Sequence, residues 1–340
     1  MSPRALINVL AIAVLALVAT VVTHALRVSS ETFVPRNAYE ALREPIQKET
    51  LPDGRMGVRD ARGELIPIGD YQRVVAGSTI ASEVIHELLE PQRVVAYSTY
   101  ARDHAHNGWK FLDRPHIGAL YNVESILELQ PDLVFFNGST DTTSIARLTE
   151  RGIQVFDLGP MIGMESFLKQ AEEITTVLNV ADRYPAYASA YRRRLQTVTC
   201  KEVPEPQTIA YIGMFGPSLF GGTVGTSYHD VILAAGMRDA AAEHYRGWPD
   251  YSPEDLLELD PPWMFTGTGG RGTICSHSAL RNLTACREGG EAVVELPVDL
   301  LGDGGGDAIL RSSELLFDAV YGPCDRVMLQ DSVPPPHATD

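Results

Sequence analysis

The chain has 340 residues, 44% of them hydrophobic, and a formal net charge of -16. Such a length exceeds one ordinary single-core domain and suits two lobes of about 130–150 residues each. An acidic surface repels phosphate backbones and anionic lipid, so nucleic acid is excluded as a partner.

Arg4 precedes an apolar run from Val9 to Val22, and no acid appears before Glu31. This is the layout of a secretory signal peptide, and Ala5 to Leu26 is also long enough for a membrane anchor. Both readings of residues 1–27 place the rest of the chain in a periplasmic or other extracytoplasmic compartment. Residues 28–55 carry Pro35, Pro45 and Pro52 and read as a spacer. Arg59 to Glu64 then predicts a turn between two short strands, the second over Leu65 to Ile68.

From Arg73 onward strands alternate with helices. Val74-Val75-Ala76 predicts a strand, and Ile80, Val84, Ile85, Leu88 and Leu89 mark one face of a helix. Strands follow at Arg93–Tyr97, Leu133–Phe136 and Gln154–Leu158, with helices over Val123–Leu129 and near Ser144–Arg151. This alternation predicts a parallel sheet covered on both faces. From Glu165 to Val198 the pattern is almost wholly helical, broken near Asn179 and Pro185. The alternation restarts at Thr208–Ile212. The expected division is an N-terminal lobe over 56–178, a long rigid connecting helix over 179–200, a C-terminal lobe over 201–325 and a disordered tail over 326–340.

The second half echoes the first. Glu124 to Phe135 aligns with Glu254 to Phe265 at a constant offset of 130, and six of the twelve positions are identical. The shared unit is a short helix, stopped by proline, that feeds directly into a buried strand. A weaker echo links Gly77-Ser78-Thr79 with Gly225-Thr226-Ser227. The repeat predicts an α/β fold of two Rossmann-like lobes, mainly parallel in their sheets, with a ligand cleft past the carboxyl ends of the strands. Asn122 and Ser252 are good helix caps and put Glu124 and Glu254 in equivalent first turns. One such glutamate merely complements a helix dipole, whereas a matched pair could dock onto arginines related by two-fold symmetry, setting register and on-rate.

These landmarks, with Asp60-Ala61-Arg62-Gly63, Asn122-Val123-Glu124 through Pro131-Asp132-Leu133-Val134, Ser252-Pro253-Glu254 and Ser278-Ala279-Leu280-Arg281-Asn282, resemble the cobalamin and ferric-siderophore class of ABC-importer binding proteins over about residues 56–323. The resemblance implies a non-enzymatic monomer that delivers a small-molecule metal chelate (cobalamin, ferric siderophore or heme) to an ABC permease. Glu124 and Glu254 would take the docking role. Pro262 departs from the family pattern at the position of Asp132, which concerns the helix–strand turn.

Ligand contacts are expected from loops after strands. Tyr97, Tyr100, Trp109, Phe215, Tyr245 and Trp248 offer aromatic walls, Arg102 and Arg246 suit carboxylates or phosphates, and Asn137 and His229 add polar contacts. His104, His106 and His116 match no familiar metal frame, so no metal site is assigned; direct metal-ion binding stays an alternative, as does a membrane-tethered sensor or scavenger. Gly267–Gly272 and Gly302–Gly306 lack the lysine of a phosphate loop and read as flexible loops. No nucleophile pairs with a base, which argues against an enzyme, and no resident cofactor is indicated. Cys200, Cys275, Cys286 and Cys324 allow three connectivities in an oxidising compartment, of which Cys275–Cys286 with Cys200–Cys324 is favoured.

Overall fold

Runs such as Leu133–Phe136 are apolar at every position, so they need cover on both faces of a sheet. The computed structural model describes residues 45–103, 107–117, 122–137, 142–216, 218–301, 305–324 and 326. The expected signal or anchor segment, most of the spacer and nearly all of the tail lie outside these residues. Among the described residues no helix is long and apolar enough to cross a membrane.

The N-terminal lobe holds β4 (Val74–Ala76), β5 (Val94–Ser98), β6 (His116–Ile117), β7 (Leu133–Phe136) and β8 (Gln154–Asp157), in the order β6-β5-β4-β7-β8. Every pair is parallel. Helices α1 (Thr79–Leu88), α2 (Thr99–Asp103), α3 (Val123–Glu128) and α4 (Thr142–Thr149) connect them. A small antiparallel sheet, β1 (Lys48–Thr50), β2 (Met56–Arg59) and β3 (Leu65–Pro67), precedes this unit. It is fastened to β8 through the Asp60–Gly63 turn. Ala61 N–H donates to the Asp157 carbonyl at 2.9 Å, Asp157 N–H to Asp60 Oδ2 at 3.2 Å, and Arg62 to the Val155 carbonyl at 2.8 Å. β1 falls inside the stretch expected to be spacer.

The C-terminal lobe has β9 (Thr208–Phe215), β10 (Ser218–Gly221), β11 (Arg238–Asp239), β12 (Asp250–Tyr251), β13 (Trp263–Gly267) and β14 (Val293–Leu296). β9, β13 and β14 are parallel, while β10 turns back against β9 and β12 pairs antiparallel to β10. The sheet is therefore mixed, with a hairpin where the sequence suggested only a loop. Its helices are α7 (Ser227–Ala234), α8 (Pro253–Leu259), α9 (Gly270–Ser276) and α10 (Gly305–Tyr321). Two glycine-rich stretches expected to be flexible loops thus open helices α9 and α10.

The connector is shorter than the single long helix expected over 179–200. α5 (Met164–Val177) stops short of Asn179, which takes φ 58°; one 3-10 turn (Ala181–Arg183) follows, and α6 (Tyr184–Gln196) makes the crossing. Pro185 sits in the first turn of α6, where its missing N–H costs nothing. α6 spans about 20 Å at 1.5 Å per residue.

Side chains alternate along the strands and sort into three apolar clusters. On β7, Leu133 and Phe135 face inward, whereas Val134 and Phe136 join an outer cluster with Ile145 and Leu148. The C-terminal lobe has a matching outer cluster around Met264 and Ile274. The inner cluster runs unbroken from Val74 and Phe156 to Ile209, Phe265 and Phe317, so both lobes share one core. Helices α1, α5, α7 and α10 pack together where the lobes meet. Both favoured disulfides are formed, with Cα–Cα separations of 6.4 Å for Cys200–Cys324 and 5.3 Å for Cys275–Cys286. The first ties the end of the connector to the end of α10.

Candidate ligand and docking sites

The carboxyl ends of β4, β5, β7 and β8 in one lobe, and of β9, β13 and β14 in the other, define where a ligand can meet backbone termini. The expected contact residues divide into two groups there. Tyr100, Trp109 and Phe215 are 62%, 71% and 83% exposed, large values for aromatics that leave their rings open to contact. Trp248 and Arg246 are also exposed, and Asn137 is half-buried directly after β7. Arg102 lies beside Asp103 at 2.7 Å, and that hydrogen bond holds its guanidinium pKa above the ordinary value. Trp109 belongs to a one-turn 3-10 helix, Gly108–Phe111, whose Asn107 and Phe111 face inward.

Tyr97 departs from the expectation of an aromatic wall, and Tyr245 stands between wall and core. Tyr97 is buried in β5, set edge-on to His86 at 6.1 Å and tilted against Phe111 at 5.2 Å. A strand covered on both faces has no exposed side, so a tyrosine inside it is core. Tyr245 is half-buried and packs perpendicular to Tyr251 at 5.2 Å in the outer cluster of its lobe.

His229 sits in the first turns of α7, its Nδ1 2.7 Å from Asp239 Oδ2. Thr223 Oγ1 donates to the same oxygen at 2.6 Å. A carboxylate on Nδ1 fixes the tautomer and leaves Nε2 as the accepting nitrogen, the orientation that suits a histidine donating to a metal. His116 lies in β6, and its loop companions His104 and His106 fall outside the described residues. Among the described residues no cluster of three or more metal-ligating groups occurs.

The two glutamates stand as the repeat requires. Asn122 Oδ1 accepts the Ser125 N–H at 3.3 Å, opening α3 with Glu124 in its first turn. Ser252 and Asp255 form a reciprocal capping box on α8, which puts Glu254 in the matching turn. Both helices end on a non-glycine residue with positive φ, Gln130 at 46° and Asp260 at 29°, each followed by proline. Both glutamates are exposed, but they differ in company. Arg147 binds the Glu124 carboxylate and lowers its pKa, whereas Glu254 forms no such pair among the described residues.

A cavity of about 440 Å³ in the C-terminal lobe, which no local pattern announces, is lined by Met214, Ser218, Leu219, Asp250, Tyr251 and His277 among others. It lies between the β9–β10 hairpin, the start of α8 and α9.

A family model described as periplasmic binding protein matches residues 74–297. A cobalamin-binding protein of Halobacterium salinarum is 23% identical over 240 residues, covering 66% of this chain and 63% of that protein, so the match spans less than two thirds of the curated relative. Among solved structures, a possible iron-binding (periplasmic solute-binding) protein of Staphylococcus epidermidis superposes with a TM-score of 0.65 at 14% identity, over 74% of this chain and 100% of that one. The periplasmic heme binding protein HutB of Vibrio cholerae gives 0.62 at 17% identity, over 74% and 99%. At such identities the likeness concerns the two-lobed fold.

Proposed function

This chain belongs to the periplasmic binding protein family, and from that premise we propose that it is the extracytoplasmic substrate-binding component of an ABC importer. Its ligand is a metal chelate: cobalamin, heme or a ferric siderophore. The observation that carries the reading is the pair Glu124 and Glu254, exposed in equivalent first turns of repeat-related helices, one per lobe. A carboxylate on each lobe suits a permease with two-fold-related arginines, and rim charges of this kind set register and on-rate.

Capture takes place between the lobes. Tyr100 and Phe215 supply exposed aromatic faces for a large planar ligand, and Arg102 and Arg246 answer its carboxylates or phosphates. His229, held by Asp239, is the candidate donor to a chelated metal. A core shared by the lobes keeps closure small, so release depends on the permease prying the lobes apart.

The test is native mass spectrometry of the exported protein from its own compartment, followed by tryptophan-quenching titrations with cyanocobalamin, hemin and ferrichrome. Co-purification or saturable binding of one chelate is the expected result. A bare protein that binds none of the three overturns the chelate assignment.

A further inference from the structure

Two asparagines open the triplet Asn-X-Ser/Thr with X other than proline: Asn137-Gly138-Ser139 and Asn282-Leu283-Thr284. In a chain exported from the cytoplasm this triplet is the acceptor for an N-linked sugar, a bulky hydrophilic group that must sit at the surface. The two asparagines stand in opposite settings. Asn137 is half-buried directly after β7, at the carboxyl end of the strand where a ligand is expected. The floor beside it is crowded, since a Cβ on Gly77 would stand 2.6 Å from the Phe135 carbonyl. A sugar there would take the ligand's place.

Asn282 lies on the outer flank of the C-terminal lobe. Leu280 and Leu283 are fully buried in the outer cluster, and the Leu283 N–H donates to the Leu280 carbonyl at 2.9 Å. Two leucines thus pin a tight turn from inside, and Arg281 and Asn282 between them are exposed. The Cys275–Cys286 bridge ties the chain on the two sides of this turn.

Thr284 fixes where the turn sits on the lobe. Its N–H and its hydroxyl donate to the Asp260 carboxylate at 2.7 and 2.8 Å. Asp260 is the C-cap of α8, whereas Glu254 occupies the first turn of the same helix. Seven residues of helix, about 10 Å, separate the two ends. The Asp260 end feeds the amino end of β13, away from the carboxyl ends of the strands where a ligand binds. A sugar on Asn282 therefore clears both the cleft and the exposed Glu254 carboxylate.

We propose that Asn282 is an N-glycosylation site, which takes an oligosaccharide from a lipid-linked phosphate donor outside the cytoplasm. The new bond joins Asn282 Nδ2 to C1 of the first sugar. The bond from C1 to the donor's phosphate oxygen breaks, the lipid phosphate leaves with that electron pair, and one amide proton is released. In the finished fold the Thr284 hydroxyl, which the triplet requires, is committed to Asp260. Transfer thus precedes closure of the turn, and the fold afterwards keeps the modified amide outside. The site rests on the exported location proposed above and on nothing about the ligand.

The test uses protein purified from whole cells of its own source with thiols blocked, then digested with trypsin without reduction. Cleavage after Arg271, Arg281 and Arg287 leaves residues 272–281 and 282–287 joined through Cys275–Cys286. One bridged peptide then reports both the oxidising compartment and the sugar. Mass spectrometry should find most of that peptide shifted upward by a glycan, with sugar fragment ions. The shift should vanish in Asn282→Gln and remain in Thr284→Ser, which keeps the hydroxyl. A bridged peptide with bare Asn282 overturns the site and leaves export standing. A bare peptide with Cys275 and Cys286 unbridged overturns both. A shift that persists in Asn282→Gln puts the sugar on another residue and also overturns the site.

Discussion

The two lobes repeat one design and finish it differently. Each has a capped short helix, a left-handed residue, a proline and a buried strand, with Phe135 in one copy and Phe265 in the other, both fully enclosed. Around that unit the tethers change. In the N-terminal lobe Asp132 follows the proline and accepts the N–H groups of Gln72 and Arg73 at 2.7 and 3.0 Å, which fixes the entry to β4. In the C-terminal lobe Pro262 has no such group, and Asp260 instead binds Thr284 through its N–H at 2.7 Å and its hydroxyl at 2.8 Å. The repeat preserves the angle at which a helix feeds a strand, while the side chains that hold the turn have been replaced.

The phenylalanines give the largest expected effect and the sharpest test of equivalence. Phe135→Ala and Phe265→Ala should each cost about 3–5 kcal/mol, as for other large buried aromatics. Because the inner cluster runs through both lobes, denaturant unfolding of either variant should remain a single transition followed by fluorescence and by circular dichroism. Two separate transitions would mean that the lobes are independent and merely touch.

Next comes the docking pair. In the proposed docking role Glu124 would exchange Arg147 for a partner's arginine, whereas Glu254, with no ion pair among the described residues, would need no exchange. An exposed ion pair is worth about 0–1 kcal/mol, so the difference is modest. Glu254→Ala should slow association with the cognate permease complex in nanodiscs by about tenfold at low salt, and Glu124→Ala by a smaller factor. Stopped-flow rates that are equal for the two variants would remove the asymmetry.

The smallest effect concerns pH. Burial pushes the Glu173 carboxyl of α5 up to about 7 from 4.5. Its contribution to stability is fully present below the unfolded value and is lost as pH rises through 7. Glu173→Gln should flatten the urea midpoint across that window and leave the variant more stable than wild type above it. A midpoint that falls with pH as in the wild type would show that Glu173 is solvated.

The sequence made the repeat visible because it rests on local chemistry: caps at Asn122 and Ser252, apolar strand runs, and prolines after Gln130 and Asp260. The cysteine pairing was legible because few connectivities exist. The contact of Glu83 with the amino end of α10 was not, since 223 and 224 residues separate Glu83 from the N–H groups of Gly306 and Asp307 that it accepts. Its one trace is an acid in the apolar stripe of α1, between Ile80 and Val84. α10 was hidden by the glycines at its start, although Ile309, Leu310, Leu316 and Phe317 carry helical spacing and are buried. Tyr97 was misread for a related reason: an aromatic near a loop looks like a wall until the layers on both sides of its strand are known. Exposure of Tyr100 and Phe215 depends on how the lobes pack, which no local pattern encodes.

The Cys200–Cys324 bridge closes a loop with a sequence separation of 124, and Cys275–Cys286 closes a second one inside it. Almost the whole C-terminal lobe is thereby a covalent ring within which a smaller ring is threaded in series. A protease that nicks any one bond of the large ring releases no fragment, because both new ends stay attached at the base of α10. The N-terminal lobe has no cysteine and no such insurance. A single cut in the C-terminal lobe therefore leaves the chain covalently continuous, whereas a single cut in the N-terminal lobe divides it.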